Sequence, residues 1–367
     1  MRRWLCALTL ALAGLAGCTP TPTTPTGGPG ASGPAASSAP TPPLAAPTAV
    51  PAPVPVRVGL MFSASDAGVL IALEQGHFQE QGLQVELEGF GAAAQMLGAL
   101  GAAQIDVGGT AVTPGYLNAF ARGVRLRIVA DKGNTAPGWG YQGFVIRRAL
   151  WDSGAVRSPA DLRGRKVAVP SVGSTAEIGL DRALRLGGIS SRDVDLTQLP
   201  FPDMPAAFAG GALDGAITIE PYLTRMEADG VAIVWKREDE YYPNHQIAVL
   251  YYSEPFATER AEIARRFMVA NLQGVRKYND AFRKGDAARR AEVVAVLVKH
   301  TPVKDPALYE RMLMPGLNPD GKVDVASLQQ DYEWWLAHGY QEERVTITDL
   351  IDHSFVRYAQ QQLGPYR

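Results

Sequence analysis

From residue 56 onward the hydrophobic pattern switches repeatedly between a period of two and a period of three to four. Val56-Arg57-Val58-Gly59-Leu60 alternates and predicts a strand. Val69, Leu70 and Leu73 then share one face of a helix that Gly76 ends. Alternation returns in Gln84-Val85-Glu86-Leu87-Glu88, and a helix from Ala92 to about Leu100 follows. Ile105-Asp106-Val107 predicts a short strand running into Gly108-Gly109-Thr110. A helix holding Tyr116 to Ala121 and a buried strand from Val124 to Ala130 complete this set. Strands alternating with helices in this way predict parallel βαβ units.

A second set begins after Gly140. Phe144-Val145-Ile146 reads as a strand crossing between lobes. Ser158-Pro159 has the form of an N-cap followed by proline at the first helical position. Lys166 to Val169 predicts a strand, and Ser174-Thr175-Ala176-Glu177 has capping-box spacing at the head of a helix that stops at Gly187-Gly188. A helix around Ala206-Ala207-Phe208 precedes a strand from Ala216 to Ile219. Ile247 to Tyr252 predicts a strand returning to the first lobe. Beyond it Ile263, Phe267, Asn271, Val275, Tyr278 and Phe282 keep near-helical spacing in a mainly helical remainder. The expected architecture is α/β: two hinged lobes with parallel-type sheets and a helical C-terminal part. Lobe 1 is expected from residues 56–140 plus about 247–367, and lobe 2 from about 141–246.

Ahead of residue 56 the pattern changes. Arg2 and Arg3 precede an uncharged apolar run from Trp4 to about Leu15, too short to span a bilayer. It ends in Leu15-Ala16-Gly17-Cys18, which resembles the bacterial lipobox. That resemblance implies removal of residues 1–17 as a signal peptide and acylation of the Cys18 thiol. Residues 19–55 carry no charge and are almost entirely Pro, Thr, Ala, Ser and Gly, a composition that predicts a disordered, extended spacer. The G-x-G-x-x-G at Gly28-Pro29-Gly30-Ala31-Ser32-Gly33 has no strand before it and no helix after it, so it is no dinucleotide fingerprint.

The charge balance is close to neutral, with 35 basic and 37 acidic residues, which removes the electrostatic footprint of a nucleic-acid binder. Cys6 leaves with the signal and Cys18 is committed to lipid, so the mature domain is expected to have no disulfide. His77, His245, His300, His338 and His353 lack metal-ligand spacing, and neither an H-E-x-x-H nor a G-x-S-x-G motif occurs. No metal, cofactor or enzymatic activity is expected.

Ala72-Leu73-Glu74-Gln75-Gly76-His77-Phe78, followed by Gly82-Leu83-Gln84-Val85-Glu86-Leu87, resembles the opening signature of the NMT1-like periplasmic binding proteins. The likeness continues through Ile105-Asp106-Val107-Gly108-Gly109, Ser158 to Val169, and Leu213 to Tyr222. It implies the type II binding-protein fold in a monomeric, extracytoplasmic receptor, lipid-anchored in the periplasm or at the cell surface. Such a receptor hands a small molecule to an ABC permease and its ATPase subunit. Family members of the thiamine-pyrimidine-forming enzyme type use a cysteine-rich motif that this chain lacks.

Ligands of open α/β sheets sit beyond the carboxyl ends of the strands. The candidate ligand residues are therefore Ser65 and Asp66 after the first strand, Gly109 and Thr110 after the third, and Ser174 and Thr175 facing them from lobe 2. Glu220 and Tyr222 join these, with Asn134, Trp139, Tyr141 and Asn244 from the inter-lobe stretches. These loops hold several aromatic rings and no Lys or Arg. The expected ligand is therefore a flat heteroaromatic such as a pyrimidine or a flavin, and sulfonate or nitrate is disfavoured. An anion-binding protein, a ligand sensor and a two-lobe-fold enzyme remain open alternatives.

Overall fold

Two five-stranded sheets organise residues 52–367, the part of the chain that the computed structural model describes. The predicted signal peptide, Cys18 and nearly all of the spacer lie outside the described residues. In lobe 1, β1 (Val54–Leu60), α1 (Ala67–Glu74), α2 (His77–Glu80), β2 (Leu83–Gly89), α3 (Ala93–Gly101), β3 (Val107–Ala111), α4 (Pro114–Ala121) and β4 (Leu126–Asn134) follow in order. In lobe 2 come β5 (Gln142–Arg147), α5 (Arg148–Asp152), β6 (Lys166–Val169), α6 (Thr175–Arg185), β7 (Asp195–Gln198), α7 (Met204–Ala209), β8 (Gly215–Ile219), α8 (Tyr222–Ala228) and β9 (Ala232–Arg237). The chain then returns through β10 (Gln246–Ser253). It ends in helices α9 (Glu254–Thr258), α10 (Ala261–Phe282), α11 (Ala287–His300), α12 (Pro306–Arg311), α13 (Val325–His338) and α14 (Ser354–Leu363).

Strand order is β2-β1-β3-β10-β4 in one sheet and β7-β6-β8-β5-β9 in the other. The βα units pair in parallel, as their crossover helices require. The sheets are nevertheless mixed. β10 is antiparallel to β3 and β4, and β5 is antiparallel to β8 and β9. Each of these strands arrives from the other lobe and so enters its sheet from the opposite end.

Two boundaries differ from the sequence expectation in ways that matter for the site. Gly108, Gly109 and Thr110 lie within β3, not in a loop after it. The strand tolerates two glycines because neighbours occupy their missing side-chain space. A Cβ on Gly108 would come within 2.7 Å of Leu100, and one on Gly109 within 2.5 Å of Lys132. β4 runs on past Ala130 to Asn134, taking Asp131 and Lys132 into the sheet. Asp131 is accommodated there by bonds from Gln246 Nε2 (2.6 Å) and the Asn318 N–H (2.7 Å). Edge strand β7 is short and largely polar, and edge strand β9 is an apolar run, Ala232 to Trp235, ending in Lys236-Arg237; neither shows the alternation that reveals a strand.

The lobe 1 core is built on α10 crossing α1. At the crossing Gly274 meets Gly68 with nothing between them; a Cβ on Gly274 would lie 2.0 Å from the Gly68 carbonyl oxygen. This close approach draws Leu70, Ile71, Phe267, Leu272 and Val275 into one buried cluster.

Candidate functional site

The carboxyl ends of β1, β3 and β4 carry Ser65, Asp66, Thr110 and Lys132, all nearly inaccessible. Asp66 is held by the residue that opens its turn: its Oδ2 accepts the Ser63 N–H (2.8 Å) and the Ser63 hydroxyl (3.2 Å). Its Oδ1 lies 2.8 Å from Lys132 Nζ, an ion pair with side-chain exposures of 0% and 5%. That contact lacks hydrogen-bond alignment, and the ammonium donates instead to Ser65 Oγ at 2.9 Å. The Lys132 stem lies across Gly109. The Tyr141 ring packs beside Gly133, where a Cβ would meet its hydroxyl at 3.0 Å and Ser65 at 3.3 Å, and burial holds the phenol well above its usual range. The structure thus brings Ser65, Asp66, Gly109, Thr110 and Tyr141 together. It adds Lys132, whose polar neighbours Asp131 and Gly133 disguise a strand position as a loop. Lys132 thus sets a cation from β4 beside candidate loops that themselves hold no Lys or Arg.

Lobe 2 presents the N-terminus of α6. The predicted reciprocal capping of Ser174 and Glu177 does not form. Ser174 Oγ donates to the Ser171 carbonyl (2.7 Å), and Glu177 Oε2 accepts the Gly173 N–H (2.6 Å). Among the described residues the backbone N–H groups of Thr175 and Ala176 have no acceptor, although both residues are 2% exposed. Buried N–H groups without partners are rare, and at the positive end of a helix they form a ready anion site. This end faces lobe 1: a Cβ on Gly173 would lie 3.6 Å from Pro114, the first residue of α4.

Glu220 and Tyr222 are committed elsewhere. The Glu220 carboxylate accepts the Thr224 N–H (3.0 Å) and hydroxyl (2.9 Å) and pairs with Arg237 at 2.8 Å, so it is engaged at the start of α8. Tyr222 packs with Leu199 and Phe201 against the small cluster of Met204, Phe208 and Leu223. Trp139 does not stand free either; its ring is tilted against Tyr278 at 6.0 Å. The expected aromatic sandwich is not assembled, because these rings complete cores.

Asn134, Trp139 and Asn244 instead line a cavity of about 230 Å³ beside the hinge, together with Gln246, Arg283 and Lys322. A second cavity, about 370 Å³, lies along Tyr242, Asn244, Arg182 and Gln330. Neither of these two cavities is lined by Ser65, Thr110 or Thr175. Under the second crossing, His245 Nδ1 meets Glu238 Oε1 and Nε2 meets Asp331 Oδ2, both at 3.0 Å and fully buried. Gln142 donates to Glu238 (2.6 Å) and Tyr242 to Asp331 (2.8 Å), which ties both crossings to α13. Burial lowers the affinity of His245 for its proton, yet Asp331 and Glu238 together overcome it and raise the pKa to about 10.

This is the two-lobe fold of periplasmic binding proteins. The alkanesulfonate-binding protein SsuA from Xanthomonas axonopodis pv. citri, bound to MOPS, matches with a TM-score of 0.65 at 23% identity, covering 83% of this chain and 99% of that one. The nitrate-binding protein NrtA from Synechocystis PCC 6803 matches with a TM-score of 0.68 at 16% identity, covering 85% and 89%. The chain belongs to the NMT1-like family, whose pattern it matches over residues 49–298. In sequence it is 25% identical to the taurine-binding periplasmic protein of Escherichia coli (strain K12), over 61% of this chain and 67% of that protein.

Proposed function

We propose that this protein is the lipid-anchored, extracytoplasmic receptor of an ABC importer and that its ligand carries a sulfonate-like oxyanion. The unpartnered, buried N–H groups of Thr175 and Ala176 carry the reading. An oxyanion supplies the acceptors they lack together with the negative charge that a helix N-terminus favours, whereas the acceptors of a flat uncharged ring lack that charge. Lys132 across the cleft supports it, because its ammonium is a second donor of the right charge. Asp66 then constrains the choice. A ligand that draws Lys132 away leaves a buried carboxylate short of its counter-ion, which is costly. A ligand with an amine or hydroxyl near its oxyanion restores that partner, as taurine would. Similarity to taurine- and alkanesulfonate-binding proteins points the same way.

The activity in this reading is capture followed by release to a permease. Ligand bridging the lobes adds contacts available only in the closed state and so shifts the equilibrium toward it. A calorimetric panel tests the ligand class. Taurine and short alkanesulfonates are expected to bind, and Lys132→Met to weaken them by tenfold or more. Binding of riboflavin or a thiamine-precursor pyrimidine with no response to any oxyanion would overturn the assignment.

A further inference from the structure

The donor-bearing end of α6 is not held by lobe 2 alone. Trp335 Nε1 donates to the Gly173 carbonyl at 2.7 Å. The Tyr340 hydroxyl donates to Glu177 Oε1 at 3.0 Å, and its ring covers Gly173 closely enough that a Cβ there would sit 3.3 Å from Cδ1. Further along α6, Trp334 Nε1 donates to Asp181 Oδ2 at 3.0 Å. Of these partners Gly173 and Glu177 flank Thr175 and Ala176, and none of the three bonds uses the N–H groups of those two residues.

The same segment is rooted in lobe 1. The Tyr340 carbonyl accepts Asn118 Nδ2 of α4 at 3.2 Å, and Ser327 Oγ accepts the Gln246 N–H of β10 at 2.8 Å. Leu328, Tyr332 and Trp335 are buried in one cluster with Tyr116, Leu117 and Tyr251 of lobe 1, and Ile178 of α6 enters that cluster from the other side. Tyr340 therefore bridges the lobes through one residue, main chain on one and side chain on the other.

We infer that residues 325–340 form a clasp that positions the anion-gripping end of α6 and holds lobe 2 against lobe 1, with Tyr340 as its principal positioning residue. This role rests on the reading of α6 as the ligand end. The clasp leaves the ligand donors free, so ligand and clasp stabilise the same closed state without competing. Opening separates Tyr340 from Glu177, whose carboxylate burial already disfavours and whose donors Gly173 and Tyr340 compensate. A hydrogen bond to such a charged group contributes enough to shift an equilibrium by about tenfold.

The test measures lobe separation directly. Spin labels placed by Gln84→Cys and Glu227→Cys, in a full-length chain carrying Cys6→Ser and Cys18→Ser, report the inter-lobe distance in ligand-free protein. Tyr340→Phe is expected to move the distribution to longer distances and to speed taurine dissociation by about tenfold, with little change in melting temperature. Tyr340→Ala should do the same more strongly. Glu177→Gln, which retains an acceptor for Tyr340, should fall between Tyr340→Phe and the unmodified chain. Unchanged distances in both Tyr340 variants, or lobes already wide apart in the unmodified chain, would overturn the clasp. If taurine fails to bind the unmodified chain, the ligand assignment falls while the distance measurement still decides the clasp.

Discussion

Lys132 Nζ lies 2.8 Å from Asp66 Oδ1 with both side chains shut away from water. A buried pair of this kind is a weak source of net stability, but it is expensive to break on one side. Lys132→Met alone is expected to destabilise the fold by about 3–5 kcal/mol, because it strands the Asp66 charge. The double change Lys132→Met with Asp66→Leu should recover most of that loss. Urea unfolding of the single and double variants checks the coupling, and equal destabilisation by both would contradict it.

The His245 cluster predicts a dependence on pH with a definite sign. In the folded chain the imidazolium keeps its proton up to about pH 10, whereas an unfolded histidine releases it near pH 6.5. The stabilisation is therefore complete below about pH 6.5 and is lost as the pH rises toward 10. His245→Gln should flatten this alkaline slope, as seen in melting temperatures from pH 6 to 10. It should also lower stability throughout, since Glu238 and Asp331 lose their common cation.

Glu220 is a ligand candidate from its place after a strand. Its bonds to Thr224 and Arg237 make it structural. Glu220→Ala is expected to cost about 1–3 kcal/mol by leaving buried donors unpaired, with taurine affinity unchanged within twofold by calorimetry. A large affinity loss at constant stability would return it to the ligand shell.

At the α1–α10 crossing there is no space for a methyl group. Gly274→Ala must push the helices apart, and a loss of about 1–3 kcal/mol is expected from such overpacking. The measurement is a urea midpoint, with ligand affinity as the control.

Cys18 makes a prediction of a different kind. Growing cells fed a labelled fatty acid should incorporate label into the chain, and Cys18→Ser should abolish incorporation and leave a longer chain that retains residues 1–17, as seen by its mass.

Much of the fold was legible because its strands bury one or both faces and its helices one stripe, so Val56 to Leu60, Lys166 to Val169 and Ile263 to Phe282 announce themselves locally. The extent of β3 and β4 was not. Gly108, Gly109, Asp131 and Lys132 have poor strand character, and they join sheets only because Leu100, Lys132, Gln246 and Asn318 come to them from elsewhere in the chain. The same reason hid the site's cation. A lysine between aspartate and glycine gives no local sign that it will be buried against Asp66. The capping-box spacing of Ser174 and Glu177 was visible, but its outcome was decided by Gly173 and by Tyr340, 163 residues away from Glu177. Aromatic residues in glycine-rich loops suggested stacking surfaces. Trp139 found Tyr278 instead, since a long helix from the far end of lobe 1 passes beneath that loop.

All ten strands precede residue 254, whereas α13 and Tyr340 come from the last 43 residues of the chain. Synthesis proceeds from the N-terminus, and partial chains acquire structure as they emerge. Both sheets are thus available before the segment that draws them together. If residues 325–340 act as the inferred clasp, a partial chain that stops short of them has the donors of α6 but nothing to fasten them. If the clasp acts as inferred, grip is a property the chain acquires only after both of the sheets that the clasp joins.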